Sequence, residues 1–174
     1  PGRLARTGLS RKDALMAEPR VLKFDTRREL EVQFHACLEA ARLTLDLFDP
    51  DFSVYPLGTL EADTLLRAFL ARGGRLRLAL HAPAHIERHA PRFLRLLRDY
   101  SHLCECRQTP RGLRQLTDSF CIADERDIVR RFHSDHLRGE ASFGDPAAIE
   151  LPRHRFEAIW AESQLVLQPT VAGL

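Results

Sequence analysis

The sequence predicts an α/β domain with a mixed, mainly parallel sheet and helices on both faces. Two observations carry this prediction. Segments in which apolar residues alternate, such as 43–48 and 75–81, are separated by longer segments whose leucines have helical spacing. Strands and helices in alternation are typical of parallel crossovers, which place helices over both faces of a sheet. Further along, two strand-like segments flank the charged turn 124–126, which predicts an antiparallel hairpin added to that sheet.

The first helix is predicted over 26–42. Thr26 and Glu29 have the spacing of a capping box, in which both side chains satisfy free backbone N–H groups at a helix start. Apolar residues then recur at the spacing that lines one face of a helix. They are Leu30, Phe34, Leu38 and Ala41.

The remaining elements follow from the same two periodicities, two residues for a strand and about 3.6 for a helix. We predict strands over 43–48, 75–81, 102–108, 115–123 and 127–132, and helices over 59–72, 86–99 and 150–162. Gly73 and Gly74 supply a left-handed cap at the end of the second helix. The segment 133–148 is predicted to form a long polar loop, and 164–169 is predicted to form a short strand or an extended tail.

The composition is that of one globular domain. A chain of 174 residues with 44% apolar residues can bury a real core, but it is short for two domains. We predict one domain over 21–168. A basic tail or linker is expected over 1–20, where the sequence resembles the cut edge of a longer chain, and a short tail over 169–174.

The net charge and the hydropathy of the chain limit the kinds of partner that it is expected to bind. The formal net charge is only +2, which gives the whole molecule little attraction for nucleic acid. The sequence contains no run of about 18 apolar residues and no apolar leader segment at its start. We expect a soluble cytoplasmic protein without membrane contact.

The cysteines do not have the spacing of a disulfide framework, so we expect reduced thiols. They are Cys37, Cys104, Cys106 and Cys121. His102 shares one strand face with Cys104 and Cys106, but three ligands in line cannot close a tetrahedral zinc site. We expect neither a metal nor another cofactor.

The chain resembles one half of the phospholipase D-like superfamily, and three stretches carry the resemblance. A helix and strand in "HACLEAARLTLDLF" (35–48) precede a helix, glycine turn and strand in "LLRAFLARGGRLRLAL" (65–80). The last helix ends on a Phe-x-x-x-Trp motif at Phe156 and Trp160. The similarity covers 21–162 and is one of architecture. It implies a phospholipase D-like half, and the family's pairing of two halves implies a homodimer.

The same resemblance bears on catalysis. The family signature, His-x-Lys-x4-Asp, falls on the stretch "TDSFCIAD", so that its histidine corresponds to Thr117, its lysine to Ser119 and its aspartate to Asp124. The family's histidine attacks phosphorus, and a threonine hydroxyl is a much weaker nucleophile. Ser119 has no charge to stabilise phosphoryl oxygens. The chain also resembles degenerate domains of this kind that are joined to acetyltransferase domains in bacterial proteins, which implies an acetyltransferase-type partner.

The densest group of polar side chains follows the hairpin, in "RRFHSDHLRGE" (130–140). Guanidinium and imidazole groups suit phosphate or carboxylate, so we predict an anion-binding site there. Its candidate residues are Arg130, Arg131, His133, His136, Arg138 and Asp46. The alternative is a solvated loop with a local ion pair at Asp135.

Asp46, Asp49 and Asp51 lie at the carboxyl end of the predicted strand 43–48. Open α/β sheets commonly bind ligands at this end of their strands. Asp46 points to a partly buried face and needs a partner, for which we expect Arg130 or Arg131. Asp49 and Asp51 are expected to cap and turn the chain.

Histidines offer two further interpretations. A metal site that joins His133 and His136 to Asp135 or Glu140 is not favoured, because serine, aspartate and glycine argue against the helix it requires. Three other histidines are expected on the surface, because prolines interrupt their register. They are His81, His85 and His89.

The leading functional hypothesis is a non-catalytic binding or interaction module that binds a phosphate-type anion. The alternative is a phosphodiesterase or other hydrolase whose catalytic residues are drawn from His133, His136 and Asp124. A weaker alternative is nucleic-acid binding through arginine faces of the helices, at positions such as Arg92 and Arg95.

Overall fold

A computed structural model describes residues 18–169, which form one sheet between two layers of helices. Most of the predicted tails, 1–17 and 170–174, lie outside the described residues. The elements in chain order are β1 (Arg20–Phe24), α1 (Arg27–Ala40), β2 (Thr44–Phe48), α2 (Leu60–Ala71), β3 (Arg75–Leu80), α3 (Ala84–His89), α4 (Pro91–Asp99), β4 (Cys104–Gln108), a 3₁₀ turn (Arg111–Leu113), β5 (Ser119–Ala123), β6 (Asp127–Arg131), β7 (Gly139–Phe143), α5 (Pro146–Glu162) and β8 (Gln164–Leu165).

The α/β class with helices on both faces is confirmed, but the expectation of a mainly parallel sheet is wrong. The eight described strands lie in the order β1-β7-β6-β5-β2-β3-β4-β8. Only the pairings of β2 with β3 and of β3 with β4 are parallel. The other five pairings are antiparallel. Two helical crossovers, one through α2 and one through α3 and α4, connect the parallel pairs, whereas the hairpin strands add to the sheet by short reversals.

Two strands, β1 and β7, were not expected from the sequence. β7 lies inside the predicted polar loop 133–148 and pairs with β1 on one side and β6 on the other. Its sequence, GEASF, lacks the alternation of large apolar residues that marks a strand. The hairpin strand β5 is also shorter than predicted, because 115–118 are not part of it.

Two separate apolar clusters hold the layers together. One face of the sheet packs on α1, α2, α3 and α4, with Phe34, Leu66 and Phe93 among its buried residues. The opposite face packs on α5 alone, through Phe156 and Trp160. Burial of a large apolar side chain contributes about 2 kcal/mol, so each face is strongly fixed to its helices.

The predicted caps at both ends of helices are present. Thr26 accepts a hydrogen bond from the N–H of Glu29, and the Glu29 carboxylate accepts one from the N–H of Thr26, which completes the capping box. Gly73 has φ +90°, the left-handed conformation expected after α2. Among the described residues, no helix is both long and apolar enough to cross a membrane.

Asp124 closes the turn between β5 and β6 and fastens it to the start of β2. Asp124 and Glu125 have φ +54° and +51°, and Arg126 N–H bonds to the Ala123 carbonyl, which is the pattern of a type I′ turn. The Asp124 carboxylate accepts from three consecutive backbone N–H groups at 2.7, 2.7 and 2.9 Å. The donors are Arg42, Leu43 and Thr44.

Replacement of Asp124 by alanine is therefore expected to lower the free energy of unfolding by about 2 kcal/mol. The substitution removes three charge-assisted hydrogen bonds and places alanine in a left-handed conformation that aspartate tolerates better. Urea denaturation followed by circular dichroism measures the loss. Asp124→Asn keeps the turn preference and one acceptor oxygen, so it is expected to lose less; an alanine variant as stable as the parent would contradict this role.

Candidate functional site

A closed polar cluster lies at the carboxyl end of β2. The Asp49 carboxylate accepts a hydrogen bond from the Ser119 hydroxyl at 2.6 Å and is ion-paired with the Arg131 guanidinium. Arg131 Nε also donates to Ser119 Oγ at 3.0 Å. The exposed fractions of Asp49, Ser119 and Arg131 are 1%, 0% and 4%. Charges removed from water to this degree are stable only when every polar atom has a partner.

Backbone groups and the Tyr55 ring complete the surroundings of this cluster. Asp49 Oδ2 accepts from the N–H groups of Asp51 and Phe52 at 3.1 and 2.7 Å, so Asp49 does cap and turn the chain. Arg131 Nη1 donates to a carbonyl oxygen of the loop after β6 at 2.7 Å, and the guanidinium carbon lies 5.8 Å from the Tyr55 ring centroid. Burial raises the pKa of the Tyr55 phenol well above its usual range. All three nitrogens of the Arg131 guanidinium are thus engaged within the protein.

His81 is buried at the carboxyl end of β3, so the expectation that it lies on the surface is wrong. Only 7% of the residue is exposed. Its Nδ1 lies 2.5 Å from Thr109 Oγ1, and its Nε2 lies 2.8 Å from the Leu116 carbonyl oxygen. Because a carbonyl can only accept, the neutral ring carries its proton on Nε2 and accepts from the threonine at Nδ1. The histidine therefore fastens the segment 109–116 over the end of β3.

An open cavity of about 710 Å³ lies between the start of β5, the end of β6 and the middle of α5. We call it the β5–α5 cavity. The strands and the segments beside them contribute Thr117, Asp118, Ser119, Phe120, Arg130, Arg131 and Phe132. The helix contributes Leu151, Pro152, His154, Arg155 and Ala158. Thr117 and Ser119, which the sequence resemblance was expected to align with the phospholipase D signature, both line this cavity.

Carboxylates orient the two accessible arginines of the β5–α5 cavity. Arg130 donates to Glu140 Oε1 from Nη2 at 2.6 Å and from Nε at 3.2 Å, and it lies 5.7 Å from the Phe132 ring centroid. Arg155 binds both oxygens of Asp118, at 3.2 and 3.3 Å. The two arginine side chains remain 41% and 48% exposed. Both pairs use Nε and Nη2, so Nη1 is the nitrogen left for a ligand.

A family model described as a domain of unknown function, DUF7931, matches residues 26–168. The chain belongs to the DUF7931 family. No curated protein has a sequence that matches this chain.

Solved structures show what this DUF7931 domain resembles in fold. Nuc of Salmonella typhimurium, a phospholipase D family member, superimposes with a TM-score of 0.64 at 12% identity, covering 86% of this chain and 99% of Nuc. NucT from Helicobacter pylori gives 0.62 at 8% identity, with 86% and 100% covered. TrmBL2, an archaeal chromatin protein with a novel mode of DNA binding, gives 0.64 at 16% identity, with 84% and 54% covered. The fold is phospholipase D-like.

The residues predicted as one anion site are divided in this DUF7931 domain. Arg130 and Arg131 line the β5–α5 cavity. His133, His136 and Arg138 line a second cavity, of about 470 Å³, together with Asp25. Phe132, which is 52% exposed, lines both and stands between them.

Asp46 belongs to neither cavity, and the expectation that Arg130 or Arg131 pairs with it is wrong. Its carboxylate binds Arg77, whose Nε and Nη2 each donate at 2.8 Å. Burial raises the pKa of the Asp46 carboxyl, and the hydrogen bond from Arg77 opposes this rise. Arg77 also bonds to Glu157 of α5 at 2.6 Å, so Asp46 helps to fix the last helix to the sheet. Asp46 lies on β2 opposite Arg77 of β3 in the parallel register, which places the two side chains on the same face.

Asp124 lies at the other end of β5 from Thr117 and Ser119, and its carboxylate is used by three backbone N–H groups. It therefore does not join the histidines or the β5–α5 cavity. The four cysteines are buried as free thiols, and burial raises the pKa of Cys104 to about 12. Within residues 18–169, no three His, Cys, Asp or Glu side chains are arranged so that they could hold a metal ion.

The helix side of the β5–α5 cavity was not predicted from the sequence. Leu151, His154, Arg155 and Ala158 are spaced i, i+3, i+4 and i+7, which places them on one helical face. That face lies beside the buried one formed by Phe156 and its neighbours. A helical wheel of α5 would have revealed it, but nothing in the sequence tells that this face meets the ends of β5 and β6.

Proposed function

We propose that this domain is a non-catalytic binding module that holds a phosphate-type anion in the β5–α5 cavity, as a degenerate member of the phospholipase D-like group. The observation that carries the proposal is the content of this cavity. Thr117 and Ser119 stand where the signature has its reactive histidine and lysine, while Arg130, His154 and Arg155 surround the same space. Guanidinium groups that are held in place by carboxylates suit the recognition of oxyanions.

The chemistry of the cavity supports binding over turnover. Among its described lining residues, the one imidazole belongs to His154 on α5, and Thr117 has no side-chain base bonded to it. The charge that would stabilise a phosphoryl group in the family, on a lysine of β5, is replaced by the Ser119 hydroxyl, which is already bonded to Asp49. A hydroxyl without an activating base is a poor nucleophile.

A crystal soaked in inorganic phosphate tests the proposal directly. We expect the ion against the Nη1 groups of Arg130 or Arg155. In solution, the double variant Arg130→Ala/Arg155→Ala is expected to weaken phosphate binding about tenfold or more, measured by shifts of backbone amide resonances. Arg95→Ala/Arg98→Ala, on the exposed face of α4, is the matched control. An ion found only in the cavity of His133 and His136 would overturn the assignment.

The rival is a hydrolase that uses His133 or His136. The observation in its favour is the shared cavity of these histidines with Asp25, because a carboxylate beside an imidazole is a common acid–base arrangement. Hydrolysis of phosphodiester and phosphomonoester substrates, with and without divalent metal, separates the two functions. Activity that disappears in His133→Ala but persists in His89→Ala would favour the rival.

We also propose that a partner protein contacts the surface around the β5–α5 cavity. Phe132 and Leu151 are 52% and 79% exposed, and both line the β5–α5 cavity. Exposed aromatic and aliphatic groups beside arginines are typical of protein interfaces. We propose that a second copy, or an acetyltransferase-type domain, covers this face in the cytoplasm. Multi-angle light scattering tests the homodimer, and a strict monomer at high concentration would exclude it.

Nucleic-acid binding is the weakest proposal. Arg92, Arg95 and Arg98 are all on the exposed side of α4, as a phosphate-contacting face requires. Binding through them would fall steeply as salt is raised. Fluorescence anisotropy with a duplex oligonucleotide at several salt concentrations is the test, and a flat titration removes the idea.

A further inference from the structure

The charge balance of the β5–α5 cavity defines the class of anion that it accepts. Each of its three arginines already has a carboxylate partner inside the protein. Arg130 is paired with Glu140, Arg131 with Asp49 and Arg155 with Asp118. The cavity therefore has no surplus of fixed positive charge, although guanidinium groups dominate its polar lining.

The remaining titratable group in the lining is His154, which is exposed on α5. A neutral His154 leaves the cavity close to electrical neutrality, and a protonated one adds a single positive charge. A doubly or triply charged ligand would bring more negative charge into the cavity than one protonated imidazole can balance, and it would lie beside the Asp118 carboxylate. A singly charged ligand can bond to the free Nη1 groups without separating the existing ion pairs.

The rest of the lining is apolar. Phe120 and Phe132 stand on the strand side, and Leu151, Pro152 and Ala158 stand on the helix side. A cavity of about 710 Å³ has the size of a small-molecule site. It is far larger than a bare phosphate or carboxylate group requires, and its walls offer favourable burial to an apolar group on the ligand.

We infer that the β5–α5 cavity selects a singly charged oxyanion attached to an apolar group, and that it discriminates against multiply charged phosphates. This inference rests on the proposed function, since it names the ligand class of the same site. An aryl or alkyl carboxylate and a phosphodiester share the required chemistry.

Four probes separate these possibilities at pH 8, where a phosphomonoester is a dianion. Phenylacetate is the carboxylate, bis(4-nitrophenyl) phosphate the diester, 4-nitrophenyl phosphate the dianion with a matched aryl group, and pyrophosphate the multiply charged anion without one. Amide resonances of cavity residues give the dissociation constants. Both monoanions, or one of them, are expected to bind at least about threefold more tightly than the matched dianion.

Two variants make the test sharper. Asp118→Asn frees Arg155 from its carboxylate, so it is expected to improve binding of the dianion about three- to fivefold and to remove the preference for monoanions. Asp99→Asn is the matched control, because Asp99 is an exposed aspartate paired with Arg67 on the other side of the sheet. Leu151→Ser removes an exposed side chain from the apolar wall and is expected to weaken the aryl ligands while pyrophosphate is unaffected.

The outcomes are distinct. Tighter binding of 4-nitrophenyl phosphate or pyrophosphate than of both monoanions would overturn the inference and leave the proposed anion site standing. The absence of any shift at cavity residues with all four probes would overturn the proposed function itself. If Asp118→Asn binds the probes with the same dissociation constants as the parent, the Asp118 carboxylate does not set the preference for singly charged ligands.

Discussion

Replacement of Arg131 by leucine is expected to lower the free energy of unfolding by about 3–5 kcal/mol, the range found when one partner of a buried ion pair is removed. The loss has a definite origin. Asp49 is 1% exposed and would lose the guanidinium that balances its buried carboxylate. Ser119 would also lose the donor at 3.0 Å. Urea denaturation of the variant, with the slope of the transition compared between variants, measures the effect.

Arg130→Leu is the matched control, because Arg130 is the neighbouring residue on β6 and points to the opposite face. Its side chain is 41% exposed and its pair with Glu140 is at the surface, so the expected loss is below about 1 kcal/mol. Asp49→Asn combined with Arg131→Leu is expected to recover part of the stability, since no buried charge then remains. If Arg131→Leu were no more damaging than Arg130→Leu, the cluster would not be the closed ion pair described above.

The contrast between Arg130 and Arg131 also shows what sequence alone could supply. The period of two in a strand already requires adjacent residues to face opposite sides, so the two guanidinium groups differ in exposure although both residues line the β5–α5 cavity. The partner of Arg131 could not be predicted, because Asp49 is 82 residues away in sequence. Only the antiparallel sequence of β2, β5 and β6 brings the three chain segments together.

The fold was predictable where local patterns decide it. The capping box of α1 and the glycine at the end of α2 satisfy nearby backbone groups and act through neighbouring residues. β7 escaped prediction because GEASF carries no large apolar alternation, and its pairing with β1 joins residues more than a hundred positions apart. The antiparallel pairings of β1 with β7, of β2 with β5 and of β4 with β8 all join distant residues, which no local pattern reports.

Replacement of Ser119 by lysine is expected to damage the domain, since the space that the longer side chain would need is already occupied. Ser119 is fully buried, and its hydroxyl lies 2.6 Å from Asp49 and 3.0 Å from Arg131. Ser119→Lys would place an ammonium group beside a guanidinium with one carboxylate to share. Two buried like charges with a single counter-charge cost on the order of 3–5 kcal/mol, so we expect a low urea midpoint or an insoluble protein.

The decisive comparison uses a double variant that moves the buried positive charge from β6 to β5. Ser119→Lys combined with Arg131→Ser leaves Asp49 with one cation, donated by β5 instead of β6, and it is expected to be more stable than either single variant. Thr117→His is the matched control, because Thr117 is half-buried at the cavity and tolerates a larger side chain at little cost. If Ser119→Lys were as stable as the parent, the buried cluster of Asp49, Ser119 and Arg131 would have to open to admit the lysine side chain. Non-additivity in the double variant would instead show that the introduced lysine and Arg131 compete for the Asp49 carboxylate. Because Arg131 is closed off from solvent in this pair, ligand binding is expected at the more exposed Arg130 and Arg155.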